Sequence, residues 1–425
     1  MKSRESLSEE ESVILEELLN RYERSKWFRE GHSNQRVMMR AGNVPAIAAM
    51  EENADSKRAM IEGLARLKQR GLLDYTWVKF EKGNLVDEIW LCTDEAAVAE
   101  AYRMTAREPK AEKLDRLMRQ LEGALDSFSS ESDIHVFLTE CMEIIREKHR
   151  MPGFFTEDAN LTDDILRFLA AAEDLSSGRG ESPEMMERVI STRLYGDSKH
   201  FERVVKPKVL SIFRHLDTGD LSDEQLLLRR GVTRWPQVFE FTGPVSILLQ
   251  NGSEVSFSEL TDGAYLNSGT VSHIRKVNLS SVRRILFIEN KANYVDYAAR
   301  RRRSNELVVF HGGVFSPAAG RWFSLLAEAR THFCPEAGCF HWSDIDLGGF
   351  EIFVRLRDCY FPDLKPLMMD EETLCRNKDK AMRIGSESYL RQVGKLLEDE
   401  RYAVFHPVIR YMLNENIRLE QEALL

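Results

Sequence analysis

Three carboxylates carry the first chemical signal. Residues 341–350 read HWSDIDLGGF, so Asp344 and Asp346 stand one residue apart ahead of a glycine pair. Glu289 closes the apolar run RRILFI about 55 residues upstream. At a strand end, residues i and i+2 share a face, so both aspartates turn to one side. Acids brought together repel unless something neutralises them. A hard divalent cation does this, and Mg2+ favours a few carboxylates plus water. Taken alone, Asp-x-Asp reads better as ordinary surface acids, with Asp346 capping a helix that starts near Leu347. Glu289 at the end of an earlier strand tips the reading to a Mg2+ or Mn2+ centre. Such a centre lowers the pKa of water and stabilises charge on a phosphate in transfer.

Those acids need a scaffold that gathers strand ends. From residue 283 the pattern alternates strand and helix: RRILFIEN, a helix over 291–303, ELVVF, the loop HGG, a helix over 316–331, CFHWSDID, a helix over 348–359, and KPLMM. Short apolar runs separated by helices predict a parallel sheet covered by helices. Ligands bind such sheets beyond the carboxyl ends of the strands. Glu289, the pair Gly312 and Gly313, and the two aspartates all fall there. The glycine pair permits close approach of backbone to a metal or a nucleic acid. HGGVFSPAAG lacks the Gly-Lys-Ser/Thr ending of a phosphate loop, which argues against ATP.

Upstream, residues 8–24 carry a helical stripe of Val13, Ile14, Leu15, Leu18 and Leu19. Residues 25–45 read as a polar, basic loop with a short helix. A helix bearing Met60, Ile61, Leu64 and Leu67 stops at Gly71, and TWVKF-EKGN-LVDEIWL follows as two strands about a Gly-Asn turn. A helix then a hairpin suggests a winged helix, equally a DNA-binding or a protein-binding module. Residues 110–150 are helical and highly charged. SSGRGESPE (176–184) is a turn-rich break. Two helices over 183–216 meet at RLYGDSKHFE, where Gly196 ends the first and Asp197 or Ser198 caps the second. FEFTGPVSILLQNGSEVSFSEL (239–260) reads as strands joined at Asn-Gly.

The chain has 425 residues, enough for about two to four domains. Its composition, 43 % hydrophobic and 30 % charged, is that of a soluble globular protein. No apolar run approaches the roughly 18–20 residues of a membrane span, and MKSRESLSEEES has no apolar signal core. The six scattered cysteines read as reduced thiols in a cytoplasmic protein. A net charge of −10 excludes a uniformly basic surface, so any nucleic-acid contact rests on local patches. One patch is Lys199, His200, Arg203, Lys206 and Lys208. Another is Lys291 with Arg300, Arg301, Arg302 and Arg303, although the arginine run also suits a solvated helix end. Lysines and arginines at the first patch would neutralise phosphates without reading sequence; a solvated face is an equal reading for each one. Lys291, two residues after Glu289, can meet a phosphate or simply open a helix at solvent. The set His332, Cys334, Cys339 and His341 has no common zinc spacing and reads as a packed turn.

Glu after one strand, a glycine loop after the next and Asp-x-Asp after the third resemble the Toprim domain of topoisomerases, primases and some nucleases. RLYGDSKHFE (193–202), RRILFIENKANY (283–294), VVFHGGVFSP (308–317), HWSDIDLGGFEIF (341–353) and IRLEQEAL (417–424), in that order, are similar to JetD, the nuclease-subunit family of the Wadjet anti-plasmid defence system. The likeness spans roughly 180–425. The fold expected is α/β plus mainly α: a Toprim domain with a Rossmann-like parallel sheet over 266–425, a CAP-like winged-helix domain over 156–265, a helical connector over 111–155, and an N-terminal arm with a winged-helix-like unit over 1–110. The resemblance implies a Mg2+- or Mn2+-dependent DNA endonuclease in which Glu289, Asp344 and Asp346 are at once catalytic and metal-binding. Lys199, His200, Arg203, Lys206 and Lys291 are the DNA-contact candidates. The resemblance also implies a homodimer acting on closed circular plasmid DNA. Its partners would be an SMC ATPase, a kleisin and a small winged-helix subunit. It marks the ending LEQE, with Glu420 and Glu422, as a family feature without supplying its chemistry. The related topoisomerase VI A subunit uses a tyrosine nucleophile, which makes a transesterase through Tyr195 one alternative. A non-catalytic DNA clamp is the other.

Overall fold

A computed structural model describes residues 7–177, 183–217 and 221–425. The expected break at 176–184 lies largely outside the described residues. The chain divides into two units, Met1–Asp163 and Asp164–Leu425. Among the described residues no helix is long and apolar enough to cross a membrane.

In the first unit, helix α1 (Glu9–Tyr22) starts at a reciprocal cap between Ser8 and Glu11 and buries Ile14, Leu15, Leu18 and Leu19. Strand β1 (Met38–Arg40) precedes α2 (Ala54–Gln69), and β2 (Leu73–Trp77) and β3 (Val86–Leu91) follow it. The three strands pair antiparallel in the order β1-β3-β2. Helix α2 buries Met60, Leu64 and Leu67, and Gly71 turns the chain at φ +75°. The expected helix and hairpin are both present. The hairpin loop, however, spans 78–85, longer than a two-residue Gly-Asn turn, and carries Phe80 at φ +71°. The strand read as TWVKF therefore stops at Trp77. Helices α3 (Lys110–Leu125) and α4 (Asp133–Lys148) pack together through buried Leu114, Leu117 and Leu121 on one and Ile134, Phe137 and Leu138 on the other. Helix α5 (Ala159–Ser176) comes next.

The second unit begins with a short parallel pair, β4 (Met185–Met186) with β5 (Val232–Thr233). Between them lie α6 (Glu187–Tyr195), a π turn over Phe201–Val205, α7 (Lys206–Leu216) and α8 (Asp223–Arg229). Gly196 ends α6 at φ +73°, as the sequence pattern predicts; the Asp197 carboxylate accepts from the Lys199 N–H at 2.8 Å, but the next helical segment is capped at His200 without a side-chain bond. Strand β6 (Val238–Thr242) then leads to a small antiparallel sheet in which β7 (Ser246–Leu249) lies between β8 (Glu254–Ser256) and β10 (Ile274–Asn278). β9 (Ala264–Asn267) pairs with β6.

A six-stranded sheet forms the core. Its remaining strands are β11 (Arg284–Ile288), β12 (Glu306–Phe310), β13 (Gly338–Trp342) and β14 (Lys365–Pro366), and the order is β14-β13-β11-β12-β6-β9. The first four run parallel; β6 and β9 are antiparallel additions. The sheet is therefore mixed, and it draws on 238–267 as well as the residues from 266 onward. β11 is central and buried on both faces, which explains its uninterrupted apolar run. Ile285 and Phe287 face one layer, where Trp322 and Phe323 of α10 (Pro317–Phe333) and Phe350 and Phe353 of α11 (Leu347–Cys359) pack. Leu286 and Ile288 face the other, with Tyr294 and Tyr297 of the helix over Lys291–Arg300. This period-2 split sets the register and brings the three strand tips level.

Candidate metal centre

The tips of β11, β12 and β13 are laced together. Ile288 stands opposite Phe310 and Trp342. The Glu289 N–H donates to the Trp342 carbonyl at 3.1 Å, and the His311 N–H to the Ile288 carbonyl at 3.1 Å. Glu289, the Gly312–Gly313 pair and Asp344 are thereby delivered to one edge, and all of them line a cleft of about 990 Å³.

Gly313 is required there for two reasons. Its φ is +74°, and a Cβ built on it would lie 2.6 Å from Glu289 Oε1. The glycine pair thus leaves room for the carboxylate itself. Gly313→Ala should cost about 1–2 kcal/mol of stability from the left-handed backbone alone. It should also displace Glu289, which a thermal melt read alongside a metal titration would detect. The second glycine pair does related work. Gly349 sits in the first turn of α11, where an added Cβ would crowd Ser343 Oγ at 2.6 Å.

Asp346 is the N-cap of α11, its Oδ1 accepting from the Gly349 N–H at 2.9 Å. Its Oδ2 lies 3.5 Å from Arg418. The capping role that the sequence allowed is real, and most of this carboxylate's bonding capacity is used within the fold. Asp344 has a different partner set. Its Oδ1 accepts from the Gln421 backbone N–H at 2.5 Å. Ligand atoms of Asp344, Glu420 and Glu422 all lie within 4.8 Å of one another.

The two glutamates of LEQE are the functional candidates for which sequence reasoning found no chemistry. The segment reaches the site through β16 (Ile417–Arg418), which pairs with β15 (Met382–Arg383), and through a bridge between Leu419 and Ile345. Buried Gln421 then fastens it. Its Oε1 accepts from the Asn290 N–H at 2.9 Å, its Nε2 donates to the Trp342 carbonyl at 3.1 Å, and its carbonyl accepts from Asn293 Nδ2 at 2.8 Å. Glu422 accepts from Asn290 Nδ2.

The electrostatics follow from this crowding. Burial, then Asp344 and Asp346, push the Glu289 carboxyl up to about 8. Glu289 Oε2 is buried with no hydrogen-bond partner among the described residues. Burial, with Asp346, Glu420 and Glu422 adding repulsion, pushes Asp344 up to about 7. Carboxylates this frustrated either hold protons or hold a cation. The donors are all carboxylate oxygens, which suits a hard cation and not a thiolate-preferring metal.

The other candidates resolve differently. His332, Cys334, Cys339 and His341 form no metal-capable group among the described residues. Burial pushes the Cys339 thiol up to about 12 and keeps it protonated. His341 stacks on His311 with ring centroids 5.1 Å apart, and burial drives both imidazoles to the neutral form. Of the expected DNA contacts, His200 lies 2.7 Å from Asp164, Lys206 lies 3.0 Å from Glu187, and Lys291 is paired with Glu240. Lys199 and Arg203 are exposed. None of the five lines the carboxylate cleft; Arg229, Arg355, Arg383 and Arg418 do. Arg300 and Arg301 pair with Asp296 at 3.2 and 3.4 Å, the solvated helix end that the sequence allowed. The Tyr195 hydroxyl donates to the Asp164 carbonyl at 2.8 Å, and burial raises its pKa well above that of a free phenol.

Residues 249–425 match the family described as Wadjet protein JetD, C-terminal. Over 422 residues the chain is 27 % identical to the Wadjet protein JetD of Bacillus cereus (strain Q1), which covers 97 % of this chain and 98 % of that protein.

Proposed function

We propose, from the premise that this chain is a relative of the Wadjet protein JetD along nearly its whole length, that it is the metal-dependent DNA endonuclease subunit of a Wadjet-type defence assembly. The observation that carries this reading is the metal-capable group of Asp344, Glu420 and Glu422 at the sheet edge. Glu289, Asp344, Asp346 and Glu420 line one cleft there, and Asp346 also caps the next helix. Glu289 and Asp344, with Glu420 and Glu422, would hold Mg2+ or Mn2+. The cation would neutralise charge on the phosphodiester and acidify water for attack. The protein's own part is positional. Gln421 holds Asp344 by its backbone N–H and ties the tips of β11 and β13 together. Arg418, 3.5 Å from Asp346 and 3.2 Å from Glu420, bridges those two acids. In this reading the subunit hydrolyses double-stranded plasmid DNA in the cytoplasm. Its partners are an SMC ATPase, a kleisin and a small winged-helix subunit, and a homodimer supplies one site per strand. A Toprim domain following a CAP-like winged-helix domain is the corresponding architecture.

The test is the reconstituted assembly with closed circular DNA. Linear product should accumulate with Mn2+ and vanish with a chelator; cutting that ignores the chelator would end the proposal. The transesterase alternative is disfavoured because Tyr195 is half-buried, bonded to a carbonyl and outside the cleft. Tyr195→Phe should cut within about twofold of the parent, since only one modest hydrogen bond is lost. Denaturing gels should show no protein attached to the DNA ends. An adduct that disappears in the phenylalanine variant would reverse this assignment.

A further inference from the structure

The cleft has a second wall that the hydrolytic reading leaves without a task. Arg229, at the end of α8, and Arg355, on α11, both line it. Arg229 is fixed by Asp217 at 2.6 Å. Arg355 has no carboxylate partner among the described residues. Its guanidinium lies 5.3 Å from the centroid of the Phe315 ring, which supports the plane without neutralising the charge. Glu351 stands one turn earlier at the i,i+4 spacing that commonly makes an ion pair, yet no such pair forms among the described residues. Arg355 instead has Arg229 for a neighbour, and its pKa is lowered, first by burial and then by that second cation. Two guanidiniums thus line one cleft together with the carboxylates, one of them without an ion-pair partner among the described residues. The missing component is an anion.

Helix geometry says which anion. Arg355 lies eight residues beyond Leu347, about 12 Å along α11 from its first turn. It cannot reach the phosphate addressed by Asp344, but a strand running along the cleft would carry another phosphate past it. A planar guanidinium fork suits two oxygens of one phosphodiester. We propose that Arg355, backed by Arg229, clamps a DNA backbone phosphate flanking the one that is cut, and so sets the path of the strand through the site. This deepens the nuclease reading and rests on it.

The test uses full-length protein carrying Glu289→Gln, so that cleavage does not intervene, and a short fluorescent duplex titrated at several salt concentrations. Adding Arg355→Ala should weaken binding about tenfold at low salt and reduce the slope of log affinity against log salt by about 1. Arg355→Lys should restore the slope but only part of the affinity. Duplexes with a single neutral methylphosphonate locate the contact: one flanking position should weaken the parent and leave Arg355→Ala unaffected. Inorganic phosphate at matched ionic strength should compete poorly; efficient competition would mean a free-phosphate site and overturn the strand-path claim. Unchanged affinity and slope, or no binding by the parent even at low salt, would overturn it too. If the assembly fails to cut DNA while Arg355 still governs binding, the nuclease reading falls and the clamp stands. An unchanged melting temperature in the alanine variant verifies that its fold is intact.

Discussion

Glu289→Gln is expected to lower DNA cleavage by more than about a hundredfold and, in the same protein, to make the metal-free fold more stable. The two effects share one cause. Glu289 is pushed up from 4.5 to about 8, first by burial and then by Asp344 and Asp346. Its folded pKa thus lies above its unfolded one. As pH rises past about 4.5 the unfolded chain gives up its proton while the folded chain keeps it. Metal-free stability therefore falls across the window from about 4.5 to 8. Asp344 adds a similar loss between 3.8 and about 7. For Glu289 the full cost above pH 8 is on the order of a few kcal/mol. Glutamine has nearly the same shape and cannot ionise, so the part of the slope due to this residue should disappear. A divalent cation relieves the same strain by taking the place of the protons. Adding Mn2+ near pH 7 should therefore release protons from the parent, and fewer from the variant. Melting curves against pH, with and without Mn2+, measure all of this. A variant that still cuts, or that keeps the parental pH slope, would remove Glu289 from the site.

Removing residues 419–425 should lower Mn2+ affinity by about ten- to a hundredfold, with cleavage falling at least as far. The deletion takes away Glu420 and Glu422 together with the Leu419–Ile345 bridge and the Gln421 bonds to Asp344, Asn290, Trp342 and Asn293. Two narrower variants separate the contributions. Glu420→Gln with Glu422→Gln keeps the lacing and removes only charge. Gln421→Ala keeps the charge and frees the tips of β11 and β13. If the segment acts through its carboxylates, the double glutamine variant should reproduce most of the affinity loss in calorimetry. If it acts by lacing the strand tips through the Gln421 side chain, Gln421→Ala should. A truncated protein that binds Mn2+ and cuts like the parent would exclude both.

The parts of this site that were legible in the sequence are those dictated by local pattern. The run RRILFI announces a strand buried on both faces, and its last position fixes Glu289 at the tip. Asp-x-Asp before a glycine pair announces a strand end and a helix start, and Asp346 does cap α11. The strand pattern over 239–260 covers β6 but not β9, and nothing local to 238–267 states which edge either will pair with. Glu420 and Glu422 carried no chemical meaning in a segment without periodicity; their role depends on a two-residue strand and a single bridge. The cationic wall was missed for a similar reason. Arg229, Arg355 and Arg418 belong to separate elements and share a cleft only in the folded chain. Of the clustered basic residues, His200, Lys206, Lys291, Arg300 and Arg301 pair with Asp164, Glu187, Glu240 and Asp296.

The bond from Asn290 to Gln421 spans 131 residues, and that from Gln421 to Asp344 spans 77. Contacts this distant along the chain close only after the loop entropy between them has been overcome, so they belong to the late stages of folding. A chain that has collapsed and formed its helices still lacks the lacing that gathers its acids, and any intermediate populated on the way is unarmed. The carboxylate cluster is complete only when nearly everything else about the chain is native.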